Sequence, residues 1–280
     1  MDASDRGVDM NRREFIKTMG VGAACLAAGQ LPMIAEGRGK PMEIKAVKLY
    51  EKGFMTRPFA LGGEDGPEKF DASVRYRSTL QNFLIDTGNE VILVDTGMPL
   101  EAPDMVVDEK TQIYLGKRIK DYVSALKDMG YRPEQVTKIL VTHKHADHTG
   151  ELRSFPNAKI YMSPEEADAV EYKGDNVIRA EFAETYYNFP AAQKIADGVW
   201  YIQAKGHTLG NSIIIAESDG LFYMMHGDVT YTDEALYENK LSVVYEDLAA
   251  ARRDPPRGSP PSSHSPAAYG WSNKPSDDSG

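Results

Sequence analysis

A chain of 280 residues with 41% hydrophobic content suits one large globular domain or two small ones. Its 32 basic against 42 acidic residues give a net charge of −10, which argues against nucleic acid or an anionic membrane surface as the main partner. The single cysteine, Cys25, excludes an internal disulfide framework.

Residues 1–36 read as a targeting segment rather than as part of a fold. Asn11-Arg12-Arg13-Glu14-Phe15-Ile16-Lys17 precedes a Gly/Ala-rich, mildly apolar run from Thr18 to Leu31. Paired arginines before a weak hydrophobic region resemble a bacterial twin-arginine export signal. The run is too short and too rich in glycine to span a membrane well. The expected location is therefore exported, periplasmic or secreted, with membrane contact only through that signal. Cys25 lies in this removable segment, so no cysteine is expected to ligate a metal.

Glu43 to Tyr50 alternates and predicts a first strand. Lys52 to Ser73 is rich in Gly, Pro and charge and reads as a long loop, whose Phe54, Met55, Phe59 and Leu61 could cover a pocket. Arg75 to Ile85 and Glu90 to Val94 read as paired strands around the turn Asp86-Thr87-Gly88-Asn89. The second runs into Asp95-Thr96-Gly97, where Asp95 reads either as a turn aspartate with a structural bond or as a brace for a metal-binding histidine. Lys110 to Met129 carries apolar residues at helical spacing and predicts an amphipathic helix closed by Gly130, with Tyr114 and Tyr122 on its core face.

The apolar run Lys138-Ile139-Leu140-Val141 then delivers Thr142-His143-Lys144-His145-Ala146-Asp147-His148-Thr149-Gly150. Ligands at the end of a buried strand stand on a rigid base. His143 and His145 are two apart and point the same way on an extended segment, while Asp147 and His148 lie beyond a turn and can face a second point. Imidazole and carboxylate suit zinc and its neighbours, so the spacing suggests two adjacent metals. Lys159 to Met162 reads as a strand, and Ser163-Pro164-Glu165-Glu166 as a capped helix start. Tyr172 to Pro190 shows little periodicity. Val199 to Gln203, Ser212 to Ala216 and Leu221 to Met225 are three further strands. Gly206-His207-Thr208 and His226-Gly227-Asp228 follow strand ends, and His226 reads as a local structural histidine. Glu246 to Arg253 begins a helix.

His-x-His-x-Asp-His after a buried strand, with Leu93-Val94-Asp95-Thr96-Gly97, Gly206-His207-Thr208 and Gly227-Asp228, resembles the metallo-β-lactamase superfamily. The resemblance runs from about Ile44 to about Ala251. Tyr231, three residues after Asp228, makes it most similar to the N-acyl-homoserine-lactonase-like branch. The resemblance implies an α/β fold, an αββα sandwich, over a hydrolase domain at residues 42–253. It implies that His143, His145 and His207 hold one divalent metal, Asp147 and His148 a second, and that Asp228 bridges the pair, with zinc as the default ion. It further implies a hydroxide held between the metals that attacks the carbonyl of a small lactone or ester, with Asp147 and Tyr231 as catalytic residues. The alternatives are a hydrolase of the same fold acting on a thioester, a β-lactam or a phosphodiester, and a metal-binding remnant without catalysis.

The superfamily supplies one more histidine to the second metal, after a further helix and strand. Here residues 254–280 turn Pro-, Ser- and Gly-rich and read as a disordered tail, so the C-terminal part of the fold is expected to be atypical or incomplete. His264, within Ser263-His264-Ser265-Pro266, is the histidine left for that role. The interval from Leu248 is short for both elements, and prolines 255, 256, 260 and 261 oppose them. A shift of reading frame near Asp254 would account for the change of character.

Overall fold

The structure, a computed structural model, describes residues 41–252; the export signal read over 1–36, the tail over 254–280 and His264 lie outside them. In chain order the strands are β1 (Glu43–Lys48), β2 (Tyr50–Glu51), β3 (Gly53–Thr56), β4 (Arg75–Ser78), β5 (Gln81–Asp86), β6 (Val91–Val94), β7 (Ile113–Tyr114) and β8 (Lys117–Arg118). They continue as β9 (Val136–Leu140), β10 (Lys159–Met162), β11 (Val177–Arg179), β12 (Glu184–Tyr186), β13 (Phe189–Ala196), β14 (Val199–Gln203), β15 (Ser212–Ser218) and β16 (Leu221–Met225). One sheet has the order β1-β5-β6-β9-β10-β11 and another β12-β13-β14-β15-β16; β2-β8 and β4-β3-β7 form two small ones.

Alternation along the strands explains the layering. Leu84, Leu93 and Ile139 face outward from the first sheet and bury against Tyr122 and Leu126 of helix Tyr122–Asp128 and Ala167 of helix Pro164–Ala169. Their neighbours Ile85, Ile92, Val94 and Leu140 face the other way and pack on Val199, Tyr201, Ile214 and Ala216 of the second sheet. The far face of that sheet carries its own buried cluster around Ile202, Ile213 and Ile215. The α/β sandwich expected from the sequence is the observed architecture. β6 is apolar and buried at all four positions because it lies inside the sheet, antiparallel to β5 and parallel to β9. Two bonds lock the sheets together beside the histidine motif. The Tyr201 hydroxyl donates to the Val141 carbonyl at 2.5 Å, and the Ser212 N–H donates to the Thr142 carbonyl at 2.9 Å.

Two expectations are corrected, and one stretch without periodicity is accounted for. Lys52 to Ser73 is not a loop but β3 followed by helix Arg57–Asp65. Thr56 caps that helix by accepting the Phe59 N–H, and Pro58 stands in its first turn, where a missing N–H costs nothing. Gly62 and Gly63, which read as loop residues, are needed for close approach: a Cβ on Gly63 would stand 1.9 Å from the Ser242 carbonyl oxygen. Lys110 to Met129 is not one helix. Ile113 and Tyr114 pair with Met55 and Phe54 as a strand, and Gly116 turns the chain at φ +109. The helix starts only at Tyr122, where the Asp121 side chain accepts the Ser124 N–H at 2.8 Å. Tyr172 to Pro190 contains β11, β12 and the start of β13, strands too short to show a period.

Replacing Tyr201 with Phe should lower the unfolding free energy by about 1–3 kcal/mol, since it strips a buried carbonyl of its donor between the sheets. Urea unfolding of the parent and the variant measures this; equal midpoints would show that the inter-sheet bond contributes nothing.

Candidate metal centre

Strand ends from both sheets deliver the site. β9 ends at Leu140, and three residues later the fully buried His143 follows; His145 precedes the short helix Ala146–Thr149, which carries Asp147 and His148. His207 lies between β14 and β15, and Asp228 in the turn Gly227–Val229 after β16. Gly227 holds φ +53, and a Cβ there would stand 2.6 Å from the Thr142 hydroxyl. Close packing of this turn on the histidine motif therefore demands glycine.

Six of the seven ligand candidates converge. His143, His145, His207 and Asp228 present donor atoms within 4.8 Å of one another, as do Asp147, His148 and Asp228. His145 Nδ1 lies 3.0 Å from His143 Nε2 and 3.1 Å from His207 Nε2. Asp228 divides its oxygens: Oδ2 lies 3.5 Å from His207 Nε2 and 3.9 Å from His143 Nε2, while Oδ1 lies 3.3 Å from His148 Nε2. The seventh candidate, His264, is outside the described residues. His226 stands outside both sets and donates from Nδ1 to its neighbour's carbonyl at Gly227, 2.9 Å away, in keeping with a local structural role.

Partners behind the imidazoles aim them. The Asp95 carboxylate, buried and held at φ +59, accepts the Thr142 N–H at 2.7 Å, the Thr142 hydroxyl at 2.8 Å and His148 Nδ1 at 2.7 Å. With its proton committed to Asp95, the Thr142 oxygen accepts from His143 Nδ1 at 3.0 Å. His207 Nδ1 donates to the Val244 carbonyl at 3.1 Å. These bonds leave Nε2 of all three rings facing the cluster, the arrangement by which outer partners orient metal ligands. Asp95 was expected to brace a histidine. Thr142 and Tyr122 were not: Thr142 heads the motif without a ligand's chemistry, and Tyr122 reads as plain core, yet its hydroxyl holds the Asp95 carbonyl at 2.9 Å.

Electrostatics divide the two sets. Burial drives the His143 imidazole well below its ordinary pKa, with the neighbouring histidines adding to the effect, so the ring is neutral and ready to donate a lone pair. His145 is lowered for the same first reason. Burial also disfavours a charged His148, but Asp147, Asp95 and Asp228 together outweigh it and raise this histidine well above its usual value. Burial raises Asp147. Asp228 goes the other way: despite burial, His148, His207 and His143 hold it well below the carboxylate range.

The family profile described as the metallo-beta-lactamase superfamily matches residues 81–265. The chain belongs to this superfamily. Its relatives include an N-acyl homoserine lactonase of Bacillus cereus, 30% identical over 161 residues that make up 54% of this chain and 64% of that protein. A second N-acyl homoserine lactonase, from a Bacillus species, is 27% identical over 57% of this chain and 66% of its own length. The chain thus spans just under two thirds of these relatives. Among solved structures, an N-acyl homoserine lactone hydrolase with N-hexanoyl-L-homoserine bound at its catalytic metal center superposes with TM-score 0.57 at 19% identity, over 76% of this chain and 84% of that one. A probable metal-dependent hydrolase from Staphylococcus aureus gives 0.57 at 17% identity, over 78% and 83%. These likenesses establish the shared fold.

The side chains fit the pair of cations that membership of the metallo-β-lactamase superfamily implies. Bonds of about 2.0–2.1 Å to a tetrahedral ion place ligand atoms about 3.3 Å apart; four donor pairs of the first set lie 3.0 to 3.9 Å apart, and the whole set lies within 4.8 Å. His148 Nε2 is buried, makes no directed hydrogen bond and faces two carboxylates, as a donor awaiting a cation does. The raised His148 makes cation uptake at the second set compete with a proton. Titrating metal-free protein with zinc in buffers of different ionisation heat should show proton release on uptake, and affinity that rises with pH. Uptake without proton release at neutral pH would contradict this assignment.

Proposed function

We propose that this chain is a dinuclear metal hydrolase that opens a small lactone, or cleaves a related ester, of the N-acyl-homoserine lactone kind. In this reading His143, His145, His207 and Asp228 hold one divalent ion and Asp147, His148 and Asp228 the other, with zinc the default. The observation that carries it is Tyr231, whose hydroxyl donates to Asp228 Oδ2 at 2.7 Å, on the wall of a cleft that Asp147 and His148 also line. Two Bacillus relatives described above, each an N-acyl homoserine lactonase, support the same substrate class.

A pair of divalent ions held by these residues would supply an activated water near neutral pH and would polarise a carbonyl. The chain's own groups complete the chemistry. Asp147, on the cleft wall and 3.5 Å from His148 Nε2, is placed to accept a proton from the attacking water. Burial, and then the charge of Asp228, hold the Tyr231 phenol well above its ordinary pKa, so it keeps its proton; that proton lies on Asp228 here and would turn to a carbonyl oxygen or a departing alkoxide once Asp228 ligates a cation. An alkoxide is a far stronger base than a thiolate and gains more from this donor, which favours oxygen esters over thioesters. The cleft also has apolar walls, Leu80, Phe83, Ile113 and Met224 among them, suited to a hydrocarbon arm. The export signal read in residues 1–36 would place this reaction outside the cytoplasm.

One observation favours a second reading, a metal-binding remnant with impaired catalysis: among the described residues the second set has three donors where the first has four. Turnover decides between the two. Zinc-reconstituted protein should hydrolyse lactones in preference to thioesters, β-lactams and phosphodiesters, and Tyr231→Phe should cut kcat by about 10²-fold. Lactone turnover at full rate in that variant would overturn the mechanism, and no turnover of any substrate by the reconstituted parent would favour the remnant.

A further inference from the structure

Two carboxylates outside both donor sets join the loops that carry His143, His145 and His207. Glu166, in helix Pro164–Ala169, is 1% exposed. Its Oε2 accepts the Lys144 N–H at 2.6 Å and its Oε1 the Gly210 N–H at 2.8 Å. Lys144 sits between His143 and His145, and Gly210 follows His207 by three residues. Glu246 joins the same loops from the solvent side. Its Oε1 accepts from Lys144 Nζ at 2.6 Å and its Oε2 from the Leu209 N–H at 2.9 Å. Its own N–H is shared between the carbonyls of Gly206, at 2.9 Å, and His207, at 3.1 Å. Gly210 has no room for a side chain, since a Cβ would stand 2.1 Å from the Ser163 hydroxyl and 2.8 Å from Glu166 Oε1.

We infer that Glu166 and Glu246 are positioning residues: a two-sided clasp that fixes the His143–His145 loop against the His207 loop and so sets the spacing of the nitrogen donors for the first cation. A buried carboxylate with each oxygen bonded to a different loop lets neither loop shift without losing a charge-assisted hydrogen bond in a site of low dielectric. The donor nitrogens stand 3.0 and 3.1 Å apart, so a displacement of a few tenths of an ångström reaches the metal geometry directly. A carboxamide at position 166 cannot substitute, because its NH2 would face one of the two backbone N–H donors. The inference rests on the reading of these residues as cation ligands.

Cobalt(II) is the probe, titrated into the metal-free full-length chain against a competing chelator while its visible absorption is followed. Glu166→Gln should weaken uptake of the first cobalt about 10- to 100-fold and change its absorption spectrum. Glu246→Gln should show the same effects to a smaller degree. Asp168→Asn, on the exposed side of the same helix and paired with Arg179, should match the parent. A folded Glu166→Gln protein with the parent's affinity and spectrum would overturn the clasp. Should that variant fail to fold, Glu246→Gln carries the test, and parental affinity and spectrum there would overturn it equally. A parent that takes up no cobalt would instead remove the metal centre itself, and the clasp with it.

Discussion

Three carboxylates surround one buried imidazole, Asp95 at Nδ1 and Asp147 and Asp228 at Nε2, and the rest of the site answers to that concentration of charge. Asp95, Asp147 and Asp228 all bear on His148, which is 4% exposed. Buried charge of one sign is costly unless an opposite charge or directed hydrogen bonds compensate it. Asp95 is compensated by three donors from Thr142 and His148. Asp147 and Asp228 are not compensated in the same way, and they open toward the cleft. A cation there is the compensation that the fold invites, and a proton on His148 is its weaker stand-in. The paired sheets supply the rigidity: each contributing strand ends at the same edge, and the bonds from Tyr201 and Ser212 hold the two edges in register.

The phenol of Tyr231 depends on a segment far from it in the chain. Met55, Phe59 and Leu61 bury against it, with the Phe59 and Tyr231 rings 5.5 Å apart. The apolar residues that look in sequence like the underside of a covering loop are the packed wall that keeps this hydroxyl on Asp228. The position of that hydroxyl is thereby tied to a nine-residue helix that Thr56 caps.

Much of the site is legible from local pattern. His143, His145, Asp147 and His148 share one short stretch, and His207 and Asp228 each follow a strand beside a glycine. The strands of the central sheets show through their alternation and their apolar runs. What escapes local reading is decided by contacts distant in sequence. Ile113 and Tyr114 carry helical spacing, yet they pair with Met55 and Phe54 because Gly116 turns the chain and Asp121 delays the helix. Glu166 reads as one acid in a capped helix start; its bonds to Lys144 and Gly210 exist only once two loops have met. Thr142 looks like a spacer until Asp95 is seen behind it.

The central claim is that this cluster of histidines and aspartates grips two cations at once. Elemental analysis of the full chain, purified without added metal and then reconstituted and dialysed, tests it most directly. Two divalent ions per chain, one for each donor set, is the predicted result. A folded chain that retains one ion or none would contradict the account.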